Sequence, residues 1–401
     1  MSVRAEPAPA RSKLLGGIAV AVLERALAHL EGGTLEVTLP DGTTRRFGSG
    51  QPVELEIHDA AFFRRLALRG KLGPGESYTA GEWDTDDLVG FFELLLSNAD
   101  AAAERHTRVR RLQELRPRLN RRNGLTRARR NIAYHYDLGN DLFALMLDET
   151  MTYSCAIFAT PETSLADAQR AKYERLCERL ELGPDDHVLE IGCGWGGFAK
   201  FASETYGCRV TGLTISAEQA ALARERTAGL PVEIHEQDYR TVDGEFSKVV
   251  SVEMLEAIGA DQFGTYFTTI DRVLAPGGRA AIQTILVPDQ RWERYRRTPD
   301  WIERYVFPGC LIPSLAALTR AAAADSALGI YGVEEIGEHY AETLRRWRAN
   351  FQERIADVRA LGYDRRFERT WDFYLAFCEA AFRTRALRDV QLVLERPGTR
   401  A

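Results

Sequence analysis

The sequence predicts an α/β fold, a largely parallel sheet covered by helices on both faces, preceded by a small α+β domain. Three observations carry this. Short apolar runs alternate with helical patterns from Asn131 to Glu395, which is how buried parallel strands and their crossover helices read. The first of these runs ends in a cluster of glycines, Gly192, Gly194, Gly196 and Gly197. The first hundred residues instead show period-two alternation with a hairpin signal.

The elements follow in order. Residues 1–12, rich in Pro, Ala and Arg, read as a loose tail. The apolar stretch Leu14 to Leu23 is shorter than the roughly 20 residues that span a bilayer. Leu15, Ile18, Val22, Ala26 and Leu30 continue at helical spacing past Glu24 and Arg25, so an amphipathic helix is expected rather than a signal peptide. Leu35, Val37 and Leu39 alternate up to the turn Pro40-Asp41-Gly42, and Val53, Leu55 and Ile57 alternate again. Helical patterns are expected around Ala60 to Leu68 and Leu88 to Leu96. The domain boundaries so read are 13–100, a linker over 101–130, a second domain over 131–395 and a tail over 396–401.

The linker is chemically one-sided. Between Arg105 and Arg130 there are eleven arginines and a single acid, Glu114, in a chain whose net charge is −6. Such a run points to an anionic membrane surface, where each basic residue contributes about 1 kcal/mol. Nucleic acid is the weaker reading, because the stretch has no aromatic interleaving and no recognition motif. The six cysteines are scattered without a C-x-x-C pair, which argues against a metal site or disulfide framework and for reduced cytoplasmic thiols.

In the second domain, strands are expected at Val188–Ile191, Arg209–Ile215, Val232–His235 and Lys248–Val252. A fifth, Arg279–Val287, follows the turn Pro276-Gly277-Gly278. The glycine loop lets the backbone approach a ligand closely, and the helix expected from Phe198 directs its first N–H groups there. The spacing also fits the dinucleotide pattern G-x-G-x-x-G. Two features favour S-adenosylmethionine over NAD or a flavin. The next strand ends Gly212-Leu213-Thr214-Ile215-Ser216 without the acid that a dinucleotide ribose takes. Glu190 stands directly before the loop, and Asp238-Tyr239 offers a carboxylate and a flat ring for adenine.

At this point the residues resemble a known family. Gly75-Glu76-Ser77-Tyr78, Ala133-Tyr134-His135-Tyr136-Asp137, Met151-Thr152-Tyr153-Ser154-Cys155, Val188 to Gly197, Gly212 to Gln219, Glu256, Tyr305 to Pro313, Tyr340 and Phe382-Arg383 resemble the cyclopropane fatty acyl phospholipid synthases. That family includes the mycolic acid cyclopropane synthases. The resemblance implies a class I, Rossmann-like methyltransferase domain in which Tyr153, Ser154, Gly192, Gly194, Thr214, Gln219, Asp238 and Tyr239 contact S-adenosylmethionine. Glu190 and Gly196 join them on the reading of the loop itself.

The resemblance also implies the reaction. Family members methylate a cis double bond of an unsaturated acyl chain, pass through a carbocation, and lose a proton to a bound bicarbonate. The matching positions are Cys155, Glu256, Gln283, Ile285 and Tyr340. Gln283 departs from the histidine of many relatives, and Glu253 and Ala257 depart from the more common Gly and His. A glutamine exchanges hydrogen bonds but takes no proton near neutrality. Cyclopropane is the expected product and a methylene-branched chain the alternative, since both follow from one cation. The resemblance further implies a phospholipid substrate at the inner face of the membrane, and leaves a homodimer and a downstream reductase open as partners. A small-molecule methyltransferase and a non-catalytic lipid-binding module are the more distant readings. The aromatic residues Trp371, Phe373, Tyr374 and Phe377 read as core packing or walls of an acyl tunnel.

Overall fold

A computed structural model describes Glu24 and residues 27–99 and 139–398. The tail, most of the first helix, the arginine-rich linker and Ala133 to Asp137 lie outside the described residues.

The chain groups into two compact units. The first holds the described residues before 100 together with 364–380. Its sheet has the order β2-β1-β3-β4, from β1 (Thr34–Thr38), β2 (Thr44–Gly48), β3 (Pro52–Ile57) and β4 (Trp83–Thr85). The hairpin expected at Pro40-Asp41-Gly42 joins β1 to β2. Gly42 takes φ +81° there, and Asp41 Oδ1 accepts the Thr43 N–H at 2.9 Å, an Asx turn that sets the register. Leu55 and Ile57 point into the core as the alternation requires. The helices are α1 (Ala61–Arg69), α2 (Gly73–Thr79) and α3 (Leu88–Ser97). Helix α2 escapes sequence reading because Gly73-Pro74-Gly75 looks like a turn. Gly73 serves instead to let the backbone pass close to α1, where a Cβ would lie 2.8 Å from the Arg65 carbonyl oxygen.

The second unit holds the described residues of 139–363 together with 381–398. Its helices are α4 (Asn140–Met146), α5 (Leu165–Leu180), α6 (Gly197–Tyr206), α7 (Ala217–Arg226), α8 (Phe263–Val273), α9 (Asp289–Tyr295), α10 (Trp301–Tyr305), α11 (Leu315–Asp325), α12 (Gly337–Glu353) and α13 (Ile355–Ala360). Its strands are β5 (His187–Ile191), β6 (Arg209–Thr214), β7 (Val232–Glu236), β8 (Phe246–Val252), β9 (Leu274–Leu286), β10 (Gly329–Glu335) and β11 (Arg388–Glu395). They form one seven-stranded sheet, β10-β11-β9-β8-β5-β6-β7. Strands β7, β6, β5, β8 and β9 are parallel. Strand β11 inserts antiparallel between β9 and β10, so the expected parallel sheet is mixed at one end. Pro276-Gly277-Gly278 is a bulge within β9, where the register against β8 shifts, rather than a turn before a new strand. Helix starts obey their caps: Ser164 and Ser216 accept the N–H groups of Asp167 and Gln219, as N-cap serines do.

The helix α14 (Arg365–Arg383) departs from the expected boundaries, since 364–380 group with the first unit. Aromatic packing explains this. Phe373 lies 4.8 Å from Phe92 and 5.6 Å from Tyr78, and Phe377 lies 5.4 Å from Phe92. Tyr78 Oη donates to Asp372 at 3.0 Å. Phe373 and Phe377 thus belong to the core of the first unit.

Candidate active site

Open α/β sheets present ligands at the carboxyl ends of their strands, where the strand order reverses. Here that point lies at β5, whose neighbours are β6 and β8. The apolar run Val188–Ile191 buries β5, and the chain then turns through Gly192 (φ +82°), Gly194 (φ +52°) and Gly196 (φ +78°) into α6. The glycines serve different ends. A Cβ on Gly192 would lie 2.7 Å from Met254 Cγ, and one on Gly196 3.2 Å from Ala223 Cβ, so these two permit close packing. A Cβ on Gly194 would meet nothing within 4 Å, so that glycine borders open space.

Glu190 is buried, and one of its carboxylate oxygens has no partner. Burial pushes its carboxyl up to about 8, opposed by Lys172 and a hydrogen bond from the Ala199 backbone. An unpartnered buried acceptor beside a glycine-lined space suits a polar ligand. At the end of β6, Thr214 Oγ1 donates to Gln219 Oε1 at 2.9 Å, and no acid stands there. Asp238 binds Arg240 in a fork at 2.7 and 2.8 Å. The Tyr239 ring is buried against Tyr266, centroids 5.6 Å apart. Tyr153 packs against Phe143 at 5.2 Å and Trp347 at 5.0 Å. The open face at Gly194, the Glu190 acceptor and the acid-free end of β6 fit S-adenosylmethionine better than a dinucleotide.

Ser154 is already engaged. The Lys172 ammonium, wholly buried on α5, donates to Ser154 Oγ at 2.6 Å. Burial pulls the Lys172 pKa down to about 8, against the opposing pull of Glu253, Cys155 and Asp389. Ser154→Ala removes that acceptor from a buried charge. The expected loss is about 1–3 kcal/mol of stability, read as a lower urea midpoint at constant m-value.

The second cluster sits on the ends of β8, β9 and β11. Cys155, Gln283 and Tyr340 converge there, on a residue that sequence reading noticed only as a departure. Glu253 Oε1 accepts the Cys155 N–H at 2.8 Å and Gln283 Nε2 at 2.9 Å, and Glu253 Oε2 accepts the Tyr340 hydroxyl at 2.5 Å. Gln283 is held in turn by Gln391, whose Nε2 donates to Gln283 Oε1 at 3.2 Å, and by Asp389 at 3.3 Å. Glu256 stands apart from that hub. Its Oε1 accepts the Thr284 hydroxyl at 2.9 Å and the Ile285 N–H at 2.5 Å, and its Oε2 is buried without a partner. Burial, with the nearby Glu253 charge, pushes Glu256 up to about 8.

This arrangement corrects the bicarbonate expectation. The Cys155 and Ile285 N–H groups, the Gln283 amide and the Tyr340 hydroxyl all serve protein carboxylates, so the residues do not fit a bound bicarbonate. The Cys155 thiol is wholly buried, and its pKa is pushed well up by burial and then by Asp389 and Glu253. It is a neutral thiol with its Sγ on the Ala156 carbonyl at 3.3 Å, not a nucleophile.

Sequence reading also missed Lys172, Asp389 and Gln391. A signal existed for the first: Lys172 lies on the face of α5 that buries Leu165, Ala168, Gln169, Leu176 and Leu180. Asp389 and Gln391 carried none, since only strand pairing brings β11 beside Gln283. Among the described residues no group of three or more His, Cys, Asp or Glu is placed to hold a metal ion, and no helix is long and apolar enough to cross a membrane. None of the six cysteines forms a disulfide.

Comparison with known proteins places the chain in a family. Residues 123–392 match the family model of mycolic acid cyclopropane synthetase. The chain is 41% identical over 396 residues to the tuberculostearic acid methyltransferase of Mycobacterium tuberculosis, covering 95% of this chain and 91% of the relative. It is 35% identical over 373 residues to the cyclopropane-fatty-acyl-phospholipid synthase of Escherichia coli, covering 90% and 96%. A solved mycolic acid cyclopropane synthase complexed with SAH and CTAB superposes with a TM-score of 0.63 at 28% identity, covering 67% of this chain and 98% of the other. With the class I sheet order, the glycine loop and these likenesses together, the chain belongs to the mycolic acid cyclopropane synthetase family and is a lipid-modifying methyltransferase dependent on S-adenosylmethionine.

Proposed function

We propose that the protein methylates the cis double bond of an unsaturated acyl chain in a membrane phospholipid, and that the resulting cation collapses to a methylene-branched chain. The observation that carries the reading is the position of Cys155. It follows directly on Tyr153 and Ser154, expected beside the cofactor, and its N–H and carbonyl both meet the polar cluster at 2.8 and 3.3 Å. A group that can take a proton therefore stands next to the place where the methyl is delivered. Gly192, packed against Met254, joins the two halves on their other side.

An alkene is a weak nucleophile, so the chain's own part is to align it with the methyl group and to exclude water from the cation. When bound, S-adenosylmethionine supplies the electrophilic methyl. The partly exposed Tyr153 ring, backed by the buried Phe143 and Trp347, offers an apolar face suited to an acyl chain. The branched product is supported by the 41% likeness to a tuberculostearic acid methyltransferase and by Gln283 in place of a protonatable histidine. The cyclopropane product, expected from sequence, has the support of the 35% Escherichia coli relative. In the same reading the arginine-rich stretch 105–130 holds the enzyme on the anionic inner face of the membrane. A methylene branch would then require a reductase to saturate it.

Purified protein, S-adenosylmethionine and vesicles of oleoyl phospholipid are expected to yield a lipid heavier by one CH2. Proton NMR of that lipid shows an exocyclic methylene under this reading and high-field ring protons if the product is cyclopropane. No heavier lipid, despite measurable cofactor binding, would refute it.

A further inference from the structure

We propose that Glu253 is the enzyme's own base: its carboxylate, rather than a captured anion, takes the proton that ends the reaction. This rests on the methyl-transfer reading above and assigns the atom that completes it.

Three independent elements aim donors at this one carboxylate. The Cys155 N–H comes from the segment before α5, Gln283 from β9, and the Tyr340 hydroxyl from α12, at 2.8, 2.9 and 2.5 Å. A set of convergent donors of this kind is what a protein builds to hold an anion. Asp389 lies beside the set, its Oδ2 accepting Gln283 Nε2 at 3.3 Å. Burial and the Glu253 charge push its carboxyl well above the usual range, as befalls one of two neighbouring acids. Tyr340 is itself fixed by stacking on Phe382, centroids 4.4 Å apart.

The backbone is bent to place this side chain. Glu253 has φ +49°, a left-handed conformation that costs a side-chain-bearing residue about 1–2 kcal/mol. Such strain collects at functional sites. Its N–H is bonded to the Gln283 carbonyl at 2.8 Å, which locks the turn at the end of β8. Glycine would adopt this φ without strain, yet a carboxylate stands here. Unlike the wholly buried Gln283 and Asp389, Glu253 is only half-buried, so substrate can reach it.

The step balances. The π pair of the alkene forms the bond to the methyl carbon as the carbon–sulfur bond breaks and its pair stays on sulfur. A hydride shift moves the cation to the methyl-bearing carbon. A methyl C–H bond then yields its proton to a Glu253 oxygen, and its electron pair becomes the exocyclic double bond. Without the hydride shift, the same proton transfer closes a cyclopropane ring. The proton passes from Glu253 to solvent before the next turnover.

The test compares the wild-type enzyme in carbonate-free, argon-sparged buffer and in buffer with added bicarbonate, using S-adenosylmethionine and oleoyl phospholipid vesicles. The expected rates agree within about twofold. Glu253→Gln keeps the shape and loses the base, so kcat is expected to fall by about 100-fold or more, with S-adenosylmethionine affinity by calorimetry unchanged. Glu253→Gly relieves the backbone strain, which offsets part of the cost of vacating the three donors, and thermal unfolding checks that it is folded. Its activity is expected to be low and to be raised by bicarbonate or formate, which leave the wild type unaffected. Wild-type activity that vanishes without bicarbonate and returns with it would overturn the assignment, as would a Glu253→Gln enzyme of near-normal kcat or a Glu253→Gly enzyme that no anion rescues. If wild-type protein makes no heavier lipid in either buffer, the substrate reading itself fails and the assignment falls with it.

Discussion

Gly194→Val is expected to lower S-adenosylmethionine affinity by about 100-fold or more while leaving the protein folded. Two effects act together. Gly194 has φ +52°, where a β-branched residue is strained by more than the ~1–2 kcal/mol typical of L-residues. The second effect is steric and specific to the ligand. The Cβ of any residue placed here projects into open space rather than into protein, so an isopropyl group fills the room the cofactor needs beside the loop. Calorimetric titration measures the affinity, and thermal unfolding measures the strain. At about 2–4 °C of melting temperature per kcal/mol for a domain of this size, the strain alone shifts the transition by only several degrees. Gly194→Ala separates the two effects, since it carries the strain with much less bulk. A valine variant that still binds within tenfold of wild type would refute this placement of the cofactor. Gly192→Val differs: its Cβ would collide with Met254, so stability rather than affinity is lost first.

The second large effect is a fall in stability of the ligand-free protein as the pH rises from 6.5 to 8. Glu190 and Glu256 are held near 8 in the fold, chiefly by burial, against an ordinary value of about 4.5. Between those values the unfolded chain has released two protons that the folded protein keeps. Stability changes with pH as the protons bound in the unfolded state minus those bound in the folded state, so here it falls with rising pH. Asp389, also pushed up by burial, acts in the same sense. His187 and His339, pushed down mainly by burial, act in the opposite sense but only below their ordinary value. Lys172, pulled down to about 8 chiefly by burial, also acts in the opposite sense, but only as it deprotonates near the top of the range, so the two acids dominate between 6.5 and 8. Two groups at about 1.4 kcal/mol per pH unit each give a loss of about 3 kcal/mol across it. Urea midpoints at the two pH values measure it. The double variant Glu190→Gln, Glu256→Gln should show a much flatter profile. Equal wild-type stability at pH 6.5 and 8 would refute the assignment of two neutral buried acids.

These acids also explain why half of the site was legible in advance and half was not. The cofactor half is local in sequence. A buried parallel strand is an uninterrupted apolar run, and Val188–Ile191 followed by four glycines within six residues leaves little choice but a strand, a tight loop and a helix. The Thr214 strand end is equally local, so β5, α6 and β6 appear close to where they were expected. Strands β10 and β11 were not anticipated. β10 is an edge strand with Ile330, Tyr331 and Val333 exposed, so it lacks the apolar run that marks its neighbours. β11 carries Asp389 and Gln391 among its apolar residues, both wholly buried, and their burial is intelligible only once Gln283 is paired beside them.

The sequence by itself determined the fold class and the class of cofactor, because glycine spacing, strand runs and rare motifs are properties of contiguous chain. Only the tertiary structure decided what those residues do to one another. Glu253, Gln283, Tyr340 and Asp389 are separated by up to 136 positions (389 minus 253), and they share one hydrogen-bonded cluster because β8 and β9 end, and β11 and α12 begin, at the same edge of the sheet. The left-handed turn at Glu253 leaves no trace in composition or periodicity. It is set by the bond to the Gln283 carbonyl and by the donors that hold the side chain, and that is why a residue read as a flanking departure occupies the centre of the cluster.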